Sequence, residues 1–256
     1  MPLQTPVHHS RLLDLNEKGE EIDYPCSDGQ PMANSDRHRN LMMRAFYRLT
    51  RFFRNRPDAY VSADSLIYWK QGVPSARVAP DLYVVFGVPA GERDSFRVWN
   101  EGGRFPAVVF ELDAYSTICS DWIERKDVYE RIFKVHEYYL FDLRDGVDPP
   151  RLKGFRREGC AYADIPQVEG RLRSEALGLD LSVEGVDLVF YEPETGACLL
   201  SSEEGREQGD REAAPCSLER ERADREATGH LLERERADRA EAELARLRAM
   251  LGLEAS

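Results

Sequence analysis

The sequence predicts a mixed α/β protein: a helix, three strands, a second helix and a strand, then a small β-rich extension and a charged C-terminal helix. Three observations predict it. Two stretches carry apolar residues at helical spacing, and four short runs rich in Val, Ile, Phe and Tyr are interleaved with them. All 11 Phe, 11 Tyr and 3 Trp fall before position 201. From Ser201 onward there are 15 acidic and 10 basic side chains and no aromatic one, so a globular body is followed by a charged extension.

Taken in order, Ser35 is a suitable N-cap for the first helix. Leu41, Ala45, Leu49 and Phe52 follow at helical spacing, with Met42, Phe46 and Phe53 widening the stripe. The strand-like runs are YVSADSLIYW (60–69), DLYVVFGV (81–88) and PAVVFEL (106–112). The second helix, SDWIERKDVYERIFK (120–134), opens on a Ser120 cap and turns Ile123, Val128, Ile132 and Phe133 toward a core. EYYLFDL (137–143) is almost continuously apolar, which predicts a strand buried on both faces. Residues 151–166 and 183–191 read as hairpins with Arg-Glu-Gly and Glu-Gly-Val at the turns.

Residues 1–200 are therefore expected to form one domain, 201–217 a flexible linker rich in Glu, Gly and Ser, and 218–256 a charged helix. In that tail LERERADREA (218–227) recurs as LERERADRAE (232–241), two heptads further on. Ala237, Ala240, Leu244, Leu247 and Leu251 continue as a narrow apolar seam. A coiled-coil homodimer and a solvated single helix both satisfy that pattern.

Composition narrows the function classes. The 256 residues carry a formal net charge of −12, which argues against coating nucleic acid by bulk charge. No apolar run approaches the roughly 20 residues needed to cross a bilayer, so no membrane partner is expected. The first residues lack the basic-then-apolar layout of a secretion signal. Five scattered cysteines (Cys26, Cys119, Cys160, Cys198, Cys216) form neither a disulfide framework nor a zinc ribbon, which points to a reducing, cytoplasmic setting. Neither a GxGxxG nor a GxxxxGK[ST] loop is present, and GxSxG and HExxH are absent too.

The acids fall at telling places. Asp81 follows Pro80 at the start of one strand run, and Glu111 closes the next after four apolar residues. A carboxylate buried there needs compensation. Two carboxylates from adjacent strand ends repel unless a cation lies between them, and hard oxygen ligands suit Mg²⁺ or Mn²⁺. Lys126, 15 residues after Glu111, could reach the same cluster and stabilise developing negative charge. Spacing alone equally allows a turn-forming Pro-Asp pair, a capping acid and a solvated lysine.

The motifs together resemble a known family. VAPDLYVVFGV (78–88), VVFEL…ST (108–117), Asp121-x4-Lys126-x2-Tyr129 and VHEYYLFD (135–142) look like the Uma-two-type putative restriction endonucleases of the PD-(D/E)XK nuclease superfamily. SDGQPM (27–32), the helix bearing His38, PPRLKGF (149–155) and RLRSEALGLDL (171–181) extend the likeness over residues 21–200. The resemblance implies a restriction-endonuclease-like core and a Mg²⁺- or Mn²⁺-dependent endonuclease acting on DNA, with RNA as an alternative substrate. It implies Asp81 and Glu111 as metal ligands, joined by the backbone carbonyl of Leu112, and Lys126 as the catalytic lysine moved onto the following helix. Asp121 and Tyr129 match positions that would orient Lys126, and His38 matches one that would approach the site.

Three departures keep a second function in view. Ala114 replaces a usual Ser, Asp113 adds a third carboxylate where many relatives of the superfamily carry the lysine, and Lys134 replaces a frequent Gly. A nuclease fold without catalysis, working as a binding or assembly module through its C-terminal helix, is the alternative. Arg37, Arg39, Arg44 and Arg48 on the first helix are the expected local basic rim for a nucleic-acid substrate.

Overall fold

Ser35 does begin a helix: its hydroxyl oxygen accepts from the His38 backbone N–H at 3.2 Å. The computed structural model describes Asp14, residues 18–27, 35–112, 120–142, 150–202 and 204–205, the side chains of 120–123 excepted. Helix α1 (Asp36–Phe52) is followed by β1 (Ala59–Ala63), β2 (Ile67–Tyr68), β3 (Arg77–Val78), β4 (Leu82–Phe86), β5 (Phe96–Arg97) and β6 (Val108–Leu112). Helix α2 (Ser120–Asp127) runs into a π-helical segment, Val128–Phe133, before β7 (Glu137–Asp142). Then come β8 (Arg151–Glu158), β9 (Ala161–Asp164), β10 (Gln167–Val168), β11 (Arg171–Ser174), β12 (Leu179–Glu184) and β13 (Asp187–Tyr191). The chain is thus mixed α/β.

The main sheet has the order β1-β4-β6-β7-β8-β9. Its central pair, β6 and β7, is parallel, with Glu111 opposite Leu140 and Leu112 opposite Phe141; the other pairings are antiparallel. Every residue of β6 and β7 is buried, as expected for strands covered on both faces. On one face Leu82, Val84, Val108, Phe110, Tyr139 and Phe141 pack with Leu41, Ala45 and Leu49 of α1 and with the antiparallel sheet β10-β11-β12-β13. On the other, Tyr83, Val85, Val109, Tyr138 and Leu140 pack with Tyr129, Phe133 and the small sheet β3-β2-β5. The two hairpin turns hold Gly159 and Gly185 at positive φ (64° and 57°), where a side chain would be strained.

Two expectations are corrected. The run 60–69 is not one strand: Asp64 adopts φ 46°, and the chain leaves the main sheet after β1 to pair β2 elsewhere. The second helix does not keep its α period. The wider turns of the π segment shift its phase: Tyr129 and Phe133 are in the core while Ile132, expected inside, is 40% exposed. Contacts divide the chain into two units, Met1–Ser202 and Glu203–Ser256. The linker and charged-helix expectations for 201–217 and 218–256 fall almost wholly outside the described residues.

A candidate carboxylate site at the end of the central strands

Strand alternation decides where the acids go. Val108, Phe110 and Leu112 face α1, so Val109 and Glu111 face α2 and the π segment. Glu111 is consequently buried, at 4% exposure. Asp81, just before β4, stands beside it because β4 and β6 pair with Leu82 opposite Phe110. One Asp81 oxygen accepts from the backbone N–H of Leu112 at 2.6 Å. Its other oxygen lies 3.3 Å from Nε2 of His38, delivered by the first turn of α1, an ion pair when the imidazole is protonated.

The partners of Glu111 come from the second helical region. Tyr129, at the start of the π segment, donates its hydroxyl to one oxygen at 2.5 Å. Arg125 places a guanidinium nitrogen 2.9 Å from the other. Burial, and then the Asp81 charge, push the Glu111 carboxyl up to about 7; Arg125 and the Tyr129 hydroxyl partly offset that rise. Burial against the same carboxylate raises the Tyr129 phenol well above its ordinary value, so it stays a donor.

The expected residues therefore divide. His38, Asp81, Glu111, Leu112 and Tyr129 converge. Tyr129 meets Glu111 rather than being seen to orient Lys126. The Lys126 ammonium lies 3.6 Å from Glu130, one turn along its own helix, and Glu130 also accepts from Tyr138 at 2.7 Å. Its neighbour Arg125 is the cation at the carboxylate, and sequence reasoning passed over it. The signal was its spacing: Arg125 and Tyr129, four residues apart, share one helix face. Asp113 and Ala114, like the side chain of Asp121, lie outside the described residues.

The expected basic rim is also revised. Arg48 is 2% exposed and, like Arg44, is bound to Asp187 of β13 (2.8 and 3.1 Å). Arg48 further donates to the carbonyls of Leu188 and Leu199, so it serves the core rather than a ligand. Arg39 stays exposed beside Asp36.

Among the described residues, no three His, Cys, Asp or Glu side chains form a ready metal cage. The donor set nonetheless suits a hard dication that uses one or two carboxylates and retains waters. Asp81 and Glu111 are close enough for each charge to oppose the other, and the Leu112 carbonyl belongs to the same strand end. The residues present fit the group.

Comparison with known proteins identifies a family. The model of the Uma2 family, described as "Putative restriction endonuclease", matches residues 9–185. Among solved structures, the chain is similar to a putative nuclease belonging to DUF820 from Anabaena variabilis. The identity is 10% and the TM-score 0.44, with 66% of this chain and 86% of that one covered. A search of curated proteins found no match.

Proposed function

The chain belongs to the Uma2 family, and from that premise we propose that it is a divalent-metal-dependent endonuclease hydrolysing DNA phosphodiester bonds on a restriction-endonuclease-like core. The observation that supports this most is the pairing of Asp81 with buried Glu111 at the carboxyl end of β6. Open sheets place ligand sites at such strand ends. Asp81, Glu111 and the Leu112 carbonyl are the proposed holders of Mg²⁺ or Mn²⁺. When bound, the ion supplies Lewis acidity and positive charge at the scissile phosphate.

The protein's own groups supply orientation and further charge. The Leu112 N–H fixes one oxygen of Asp81, His38 pairs with the other when its imidazole is protonated, and Tyr129 fixes one oxygen of Glu111. Arg125 and Lys126, adjacent on α2, offer two cations for charge that builds up on the phosphate. Lys126 is the residue proposed to support attack once its ammonium leaves Glu130. Arg125 already stands at the carboxylate and is its direct rival for that role.

The test is plasmid nicking with Mg²⁺ or Mn²⁺, run beside a structured RNA. Asp81→Ala and Glu111→Ala should each lose about a hundredfold or more in rate. Residual activity equal to wild type in both would sink the assignment. The larger loss between Lys126→Ala and Arg125→Ala identifies the working cation. One observation favours the non-catalytic alternative: both Glu111 oxygens already have partners. No Mn²⁺ uptake by calorimetry, with oligomerisation that depends on the C-terminal segment in light scattering, would establish that reading instead.

A further inference from the structure

Tyr129 and Arg125 hold the two oxygens of Glu111 in different ways. Tyr129 is fully buried and locked in the core beside Phe133, their rings 6.1 Å apart. The Arg125 side chain is 42% exposed and reaches Glu111 through a single guanidinium nitrogen. Of the two, only Arg125 can leave without unpacking the core. A dication at Asp81 and Glu111 and a guanidinium at Glu111 are like charges competing for one carboxylate in a desolvated place, where screening is weak.

We infer that Arg125 is a built-in counter-ion of Glu111, displaced when a divalent ion binds, whose released guanidinium then turns to the phosphodiester oxygens of the nucleic acid. The inference rests on the metal-dependent reading above and specifies how that site is kept before it is loaded. Arginine suits the second task because its planar fork can grip two non-bridging phosphate oxygens at once. Lys126 is differently placed, since Glu130 and not Glu111 is its partner. The arrangement also explains how a buried carboxylate beside another carboxylate stays folded without metal: Arg125 supplies the missing positive charge locally.

Competition makes metal affinity and the Arg125 contact reciprocally linked. Two measurements test it, both on the full chain without nucleic acid. In calorimetry with MnCl₂ at pH 8.5, Arg125→Ala should bind Mn²⁺ about fivefold or more tightly than wild type. In arginine labelling with phenylglyoxal followed by mass spectrometry, adding Mn²⁺ should accelerate modification of Arg125. Buried Arg48 should stay protected as an internal reference, and Asp81→Asn should abolish the acceleration. Mn²⁺ binding to Arg125→Ala that is no tighter than wild type, or labelling of Arg125 that Mn²⁺ leaves unchanged, overturns the inference. Absence of Mn²⁺ binding by both proteins overturns the metal reading itself, a distinct result. Circular dichroism melts check that the variant is folded, as expected for a half-buried side chain outside the core.

Discussion

Two glutamates lie buried in neighbouring parallel strands, Glu111 at the end of β6 and Glu137 at the start of β7. Their surroundings differ completely. Glu137 accepts from the Tyr139 hydroxyl (2.9 Å), the Ser174 hydroxyl (2.5 Å), Arg156 (2.9 Å) and the Glu175 backbone N–H (2.9 Å). Those donors come from β7, β8, β11 and the turn after it, so the carboxylate ties the second sheet to the first. Glu111 has two donors and a second carboxylate beside it, and its acid form is favoured up to about pH 7. A buried acid that is satisfied on every side is architecture. One that is crowded by another acid has its ionised form disfavoured, the kind of perturbation that clusters at functional sites.

The sharpest way to break this comparison is to delete each acid in turn. Glu137→Ala should cost about 3 kcal/mol of folding free energy, because Arg156, Tyr139 and Ser174 lose a shared buried acceptor. Urea denaturation at neutral pH measures it, and a cost below that of a surface substitution would refute the architectural role.

Glu111 should show the opposite behaviour through pH. Its carboxyl ionises near 4.5 when unfolded and near 7 when folded. Between those values the folded chain retains a proton that the unfolded chain has released. The contribution of Glu111 to stability is therefore full below pH 4.5 and is lost as pH rises toward 7, by an amount on the order of 3 kcal/mol. Glu111→Gln cannot ionise and should flatten that fall, giving a more stable protein than wild type at pH 8 without metal. An unchanged pH profile in chemical denaturation would contradict it.

The smallest effect separates the two sites by a route that touches only one. Gly154 of β8 lies against Tyr139: a Cβ there would stand 2.7 Å from Cε1 of the ring that hydrogen-bonds Glu137. Gly154→Ala should cost about 1–3 kcal/mol through overpacking. It should leave the pH dependence due to Glu111 intact, as paired denaturation series would show.

Much of this is legible in the sequence. The Ser35 cap, the α1 stripe and the doubly buried β7 follow from short-range periodicity, which burial enforces directly. Asp81 and Glu111 were visible because an acid interrupting an apolar strand demands a reason. Other features depend on distant chain. Nothing in the composition of 120–134 announces a π segment, yet that phase change decides whether Tyr129 or Ile132 enters the core. Arg125 and Lys126 are neighbours with the same charge, and only the position of Glu111 across the sheet distinguishes them. The basic rim is halved for the same reason: α1 shows its arginines, but Asp187, far along the chain, claims Arg44 and Arg48 and leaves Arg37 and Arg39 exposed.

Burial of Arg48 has a consequence for synthesis. Its acceptors, Asp187, Leu188 and Leu199, lie 139 to 151 residues downstream. At usual translation speeds of about 5–20 residues per second, the ribosome takes roughly 7–30 s to reach them after making α1. Throughout that interval the emerging helix carries a guanidinium that its own apolar face cannot shelter. The Arg48 guanidinium can therefore be sheltered only once the β12–β13 hairpin and Leu199 have been made, so the packing around α1 is completed by chain synthesised long after it.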